Sequence, residues 1–122
     1  MIKRIFVTAT NTDIGKTYTT KLLLEEFASR GIRVGVFKPI ETGVQGIAAD
    51  ATELLACTKK LNKEFENISV EDIAPITYKL PSAPFVASDN KKLDLDKINK
   101  SLQKLEKACD IIVIEGAGGL YV

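Results

Sequence analysis

The chain has 122 residues, of which 45% are apolar and 27% charged, a composition that fits one packed domain and excludes a disordered chain. Seventeen basic residues stand against sixteen acidic ones, so there is no basic footprint for nucleic acid or for an anionic membrane surface. Histidine is absent, which removes imidazole acid–base chemistry and imidazole metal ligands and leaves lysines, carboxylates, hydroxyls, backbone dipoles and hard cations.

Cys57 and Cys109 form no C-x-x-C pattern and read as buried, reduced thiols, which fits a cytoplasmic protein. The longest aliphatic run, Ile111 to Ile114, is too short to cross a bilayer, and Met1-Ile2-Lys3-Arg4 does not open a signal peptide. A soluble, cytoplasmic protein with neither nucleic-acid nor membrane partners is expected.

Residues 3–9 read as a buried strand. It enters a small, polar loop that leaves through Gly15-Lys16-Thr17 into a helix expected over residues 16–30. Leu23, Leu24, Phe27 and Ala28 form its apolar stripe, and Gly31 is placed as its C-cap. Strand, loop, Gly-Lys-Thr and helix are the layout of a phosphate-binding loop. Backbone N–H groups and the positive end of the helix face the anion. Lys16 brings a mobile charge to the outer phosphates, and Thr17 a hydroxyl for Mg2+. The full pattern G-x-x-x-x-G-K-[ST] has a glycine where this chain has Thr10, so the match is to its second half.

Residues 33–38 read as a second strand stopped by Pro39, parallel to the first through a right-handed crossover. A polar loop, Glu41 to Gly46, leads to a helix over residues 49–61 with Ala51, Leu54, Leu55 and Leu61 near one face. Asp50 is placed either to cap that helix or to hold a metal beside a phosphate. Residues 62–82 are less regular. Ser69-Val70-Glu71-Asp72 reads as a capped turn and Ile76-Thr77-Tyr78 as a short extended piece. Pro81 and Pro84 bracket a turn, and Phe85 to Ser88 reads as one helical turn. Asp94 or Asp96 caps an amphipathic helix reaching about Ala108, with Ile98, Leu102 and Leu105 inward and Lys97, Lys100, Lys104 and Lys107 toward water. Asp110 to Glu115 reads as a third buried strand, ended by Gly116.

Strands alternating with helices predict a layered α/β fold with a parallel sheet. Only three strong strands are visible, and the chain stops just after a glycine-rich loop. The expectation is therefore one α/β domain over residues 1–122, truncated on its C-terminal side. In parallel sheets, ligands gather at the carboxyl ends of the strands. Three polar clusters fall there: residues 9–17, Lys38 to Gly43, and Glu115 to Gly119. Lys38 is either a site lysine or an edge lysine reaching water. Glu115 is either the acidic residue that reaches Mg2+ from a strand end or a surface glutamate.

The ordered set Thr10-Asn11-Thr12-Asp13-Ile14-Gly15-Lys16-Thr17, Lys38-Pro39-Ile40-Glu41-Thr42-Gly43, Pro81-Ser82-Ala83-Pro84 and Val113-Ile114-Glu115-Gly116-Ala117-Gly118-Gly119 resembles the dethiobiotin synthetase family over essentially the whole chain. The resemblance implies a three-layer, P-loop NTPase-like α/β fold with a mostly parallel sheet. It also implies an ATP- and Mg2+-dependent ligase of biotin biosynthesis that closes a cyclic urea on 7,8-diaminopelargonate with CO2, through a carbamate and a carbamic–phosphoric anhydride. By position, Lys16 holds the outer phosphates. Lys38 stabilises the carbamate and the transferring phosphoryl group, and Thr12 and Thr42 touch the diamine. Thr17, Asp50 and Glu115 serve Mg2+. Backbone from Asn11 through Asp13, Ile14 and Gly15 to Thr17 wraps the phosphates, and Glu115, Gly116, Ala117 and Gly118 lie along the nucleotide. The family also implies a homodimer.

The chain departs from the family in Ala9, where glycine is usual, in Asn11, where aspartate is usual, and in its length. Three rivals share the loop. An amidating ligase of the cobyrinic acid synthase type normally carries a further glutamine-hydrolysing domain. A partition-type ATPase switch carries a second lysine where this chain has Asn11. The third is a nucleotide-binding fragment inactive alone.

Overall fold

The computed structural model describes residues 2–8, 13–79 and 94–116. In chain order these form β1 (Lys3–Val7), α1 (Asp13–Ser29), β2 (Val34–Phe37), β3 (Ile40–Glu41), α2 (Ala49–Leu61), a 3-10 turn (Lys63–Phe65), α3 (Val70–Ile73), β4 (Ile76–Thr77), α4 (Leu95–Glu106) and β5 (Ile111–Glu115).

The main sheet is parallel, in the order β1-β5-β2. Lys3 and Val34 both register with Ile111, Val7 registers with Glu115 and Phe37 with Ile114, so the three carboxyl ends lie along one edge. β5 takes the centre because Ile111-Ile112-Val113-Ile114 is apolar on both faces of a pleated strand. All five of its residues are buried, so both faces of the sheet are covered along it. Helices α1, α2 and α4 each pack on the sheet, α1 against α2 and α4 against α3. This is the layered α/β architecture expected. β1 and β2 are parallel as predicted, but β5 lies between them.

The core gathers Leu24 of α1, Val34 and Val36 of β2, Leu54 of α2, Phe65, Ile73, Leu105 of α4, and Ile112 and Val113 of β5. Gly35 is required where β2 meets Cys109 and Phe65. A Cβ there would lie 2.6 Å from Cys109 Sγ and 2.9 Å from Phe65 Cζ, closer than real contacts allow. Asn62 closes the bottom of the layers: its amide donates to the carbonyls of Val34 (2.9 Å) and Ala108 (2.8 Å).

Several local expectations hold. Gly31 ends α1 with φ 80°. Ser69 and Asp72 make a reciprocal capping box on α3. Asp94, not Asp96, caps α4. Lys97, Lys100, Lys104 and Lys107 are exposed.

Others are corrected. α1 begins at Asp13, three residues before the predicted start, because Asp13, Ile14 and Gly15 already form its first turn. β1 is not a buried strand over 3–9. It ends at Val7, its only buried residue, and Phe6 is 68% exposed. Among the described residues β1 pairs only with β5. Glu41 does not open a polar loop. With Ile40 it forms β3, parallel to β4 in a second, two-stranded sheet. Ile76 N–H to Pro39 O (3.2 Å) and Tyr78 N–H to Glu41 O (2.9 Å) bond the two segments, and Lys38 N–H donates to Ile73 O (2.9 Å) at the end of α3. β2 itself ends before Pro39, as predicted: Pro39 lies at a bend between β2 and β3, lacks a donor, and its carbonyl still accepts. The turn around Pro81 and Pro84 and the helical turn over Phe85 to Ser88 lie outside the described residues.

Candidate functional site

The carboxyl ends of β2 and β5 and the start of α1 meet around one buried carboxylate. Glu115 is fully buried at the end of β5. Its Oε1 accepts from Thr17 Oγ1 (3.2 Å) and from Lys38 Nζ (3.3 Å), and its Oε2 accepts from Thr20 Oγ1 (3.0 Å). A buried carboxylate is tolerable only when paired and hydrogen-bonded in this way. Lys38 follows β2 directly, and its side chain is 2% exposed. Its Nζ also stands 4.0 Å from Asp50 Oδ2, in the first turn of α2. Lys16, equally buried, donates from Nζ to the Gly116 carbonyl.

Lys16, Thr17, Lys38, Asp50, Glu115 and Gly116 are thus brought together from four segments far apart in sequence. Of the alternatives, Lys38 is no edge lysine and Glu115 no surface glutamate: both are buried against each other. Asp50 is not the cap of α2, because the N-cap residue is Ala48. Gly15 is exposed in the first turn of α1. Asp13 to Lys16 therefore form the first turn of a helix, with its positive end, rather than an extended loop. Thr42 follows β3 and is half-buried. Asn11, Thr12, Ala117 and Gly118 lie outside the described residues.

Two participants escaped the sequence. Thr20 donates to Glu115 from the same face of α1 as Thr17, three residues on; that i,i+3 spacing was the available signal. Glu41, 4% exposed, accepts from the backbone N–H groups of Asp50 (3.1 Å) and Ala51 (2.9 Å). Burial pushes its carboxyl above the ordinary range, against the pull of those two N–H groups. A glutamate between Ile40 and a helix lacking a side-chain cap was the signal there.

The donors suit a hard cation. Thr17, Asp50 and Glu115 supply only oxygen, and among the described residues no group of three or more His, Cys, Asp or Glu side chains could hold a metal. One or two carboxylates and a hydroxyl fit Mg2+, which keeps waters and takes further oxygens from phosphates instead of a full protein cage. No helix among the described residues is long and apolar enough to cross a membrane.

A parallel sheet with a Gly-Lys-Thr helix start, a lysine following the neighbouring strand and an acidic residue ending the central one defines a P-loop NTPase-like domain. A family model described as an AAA domain matches residues 3–122, and the chain belongs to that family. Within it, the chain is similar to proteins named ATP-dependent dethiobiotin synthetase BioD. It is 51% identical over 118 residues to the one from Sulfurovum sp. (strain NBC37-1), covering 97% of this chain and 56% of that protein. It is 37% identical over 123 residues to that of Wolinella succinogenes, covering 99% and 56%. With that of Aquifex aeolicus (strain VF5) it shares 34% over 121 residues, covering 98% and 51%. The chain spans about half the length of these relatives.

Proposed function

We propose that these residues form the phosphate- and carbamate-handling wall of a dethiobiotin synthetase. The observation that carries this reading is Lys38, whose ammonium lies between the Asp50 and Glu115 carboxylates beside the Gly-Lys-Thr helix start. One amine of 7,8-diaminopelargonate takes up CO2 as a carbamate. A carbamate oxygen attacks the γ-phosphorus of ATP and ADP leaves. The second amine then attacks the carbamoyl carbon, phosphate departs and the ureido ring closes. No step needs a protein nucleophile or an imidazole. Each needs orientation and neutralised charge.

Lys16 neutralises the outer phosphates, and the first N–H groups of α1 orient them. Lys38 holds the carbamate against the transferring phosphoryl group. Thr17, Asp50 and Glu115 would hold Mg2+, which supplies further charge neutralisation at the phosphates. Thr12 and Thr42 are assigned to the diamine, and backbone from Asn11 to Thr17 and from Glu115 through Ala117 to Gly118 to the nucleotide. The near-neutral charge supports small-molecule substrates over nucleic acid or membrane partners, and a cytoplasmic location is part of the proposal. The active protein is proposed to be a homodimer.

Incubating the full-length protein with ATP, Mg2+, bicarbonate and the diamine tests this. ADP is expected only when the diamine is present, together with a ureido product. ADP release independent of the diamine, without that product, overturns the assignment.

A further inference from the structure

Helix α2 starts without a cap of its own. Its N-cap residue, Ala48, has no side-chain oxygen, so the first-turn N–H groups must find acceptors elsewhere. Glu41 supplies them from outside the helix: Oε2 accepts from Asp50 N–H at 3.1 Å and Oε1 from Ala51 N–H at 2.9 Å. The carboxylate is buried, so water offers no ready replacement.

The backbone that carries this carboxylate is fixed. Glu41 O accepts from Tyr78 N–H (2.9 Å), and Ile40 and Glu41 register with Ile76 and Thr77. Three residues earlier in the same segment, Lys38 N–H is anchored on Ile73 O (2.9 Å). One short stretch therefore presents the Lys38 ammonium and, through the Glu41 side chain, grips the amide of Asp50. A local cap at position 48 would close the helix turn equally well. It would not tie that turn to the strand bearing Lys38.

We propose that Glu41 is the positioning residue that holds Asp50 in register with Lys38 and Glu115, so that the two carboxylates face the same Mg2+. The proposal rests on the reading of Asp50 as an Mg2+ ligand. Glu41 itself touches neither the metal nor the nucleotide. Its effect passes through the backbone of α2.

The test is calorimetric binding of a non-hydrolysable ATP analogue to the full-length protein at a series of Mg2+ concentrations, with thermal melting alongside. Glu41→Ala is expected to raise the Mg2+ concentration at half-saturation about tenfold, the scale on which residues orienting metal ligands act. Glu41→Gln keeps one acceptor and is expected to fall between that variant and the wild type. Asp50→Asn is expected to raise the same midpoint. Adding Glu41→Ala to Asp50→Asn is expected to raise it no further, because the positioned group is already gone.

A Glu41→Ala protein that melts earlier but keeps the wild-type Mg2+ midpoint overturns the proposal and leaves Glu41 as a helix cap. Fully additive shifts in the double variant also overturn it. An unchanged midpoint in Asp50→Asn strikes the underlying metal assignment instead, and Glu41 then has nothing to position. Should Glu41→Ala not fold, Glu41→Gln carries the comparison, and a wild-type midpoint there overturns the proposal.

Discussion

The Lys38 ammonium lies 3.3 Å from the Glu115 carboxylate, and both side chains are out of contact with water. Each is the first or last polar group at the end of an otherwise apolar strand, and each makes the burial of the other tolerable. The pair is therefore both a structural joint between β2 and β5 and the charge pattern of the proposed site.

Removing one partner separates these roles. Lys38→Ala is expected to abolish turnover in the full-length protein while nucleotide binding is largely kept. It is also expected to cost about 3 kcal/mol of stability, because Glu115 is left buried without its countercharge. Turnover assays, nucleotide titration and urea unfolding check the three parts. Equal loss of binding and turnover would make Lys38 a phosphate clamp.

Glu115→Gln preserves shape and removes charge. Its expected mark is a higher Mg2+ requirement for turnover, and an unmoved Mg2+ titration contradicts the metal role. Thr20→Val, which only removes a hydroxyl donor from Glu115, is expected to cost about 1 to 2 kcal/mol in urea unfolding.

Gly35→Ala is expected to lower stability by about 2 kcal/mol through overpacking against Cys109 and Phe65. Combining it with Cys109→Ala is expected to cost less than the sum of the two single changes, since the nearest clash disappears. Melting temperatures of the four proteins decide this.

Burial pushes the Cys109 thiol up to about 12, so it stays protonated near neutral pH. Cys57 is half-buried, its thiol also raised by burial. Iodoacetamide at pH 8 is therefore expected to label Cys57 first and Cys109 only after unfolding. Mass spectrometry of the digested protein reads the order.

At the opposite end of β5, Arg33 holds the Asp110 carboxyl below its ordinary 3.8 by hydrogen bonding. The unfolded chain then binds that proton more tightly than the folded one. The stability Asp110 contributes is complete above the ordinary value and is lost as pH falls through the lowered folded value. Asp110→Asn is expected to flatten the acid limb of stability against pH, and an unchanged limb counts against the pairing.

Much of this was legible in the sequence because it rests on contiguous patterns. Ile111 to Ile114 can only be a buried strand, and a glutamate closing it is conspicuous. Gly15-Lys16-Thr17 announces itself by spacing. Glu41 and β3 were barely legible, since a two-residue strand has no periodicity and a cap lent from another segment leaves only a missing side-chain cap at Ala48 as its mark. Thr20 looks like any polar helical residue until Glu115 is placed beside it. Nor does the composition of β1 say which of its sides is covered: Phe6 is as apolar as its buried counterparts in β5.

The central place of β5 governs the order in which the protein can assemble. Val34 and Lys3 both wait for Ile111, so neither early strand has its partner in this sheet until synthesis has reached residue 111. Such pairings of distant segments form late and slowly, while helices and the nearby β3–β4 ladder can form as they emerge. During synthesis on a ribosome, a chain arrested before Ile111 holds its first helices but none of the three-stranded sheet. The Glu115 carboxylate thus arrives after Lys16, Thr17, Lys38 and Asp50, and its arrival with β5 forms the buried pair with Lys38.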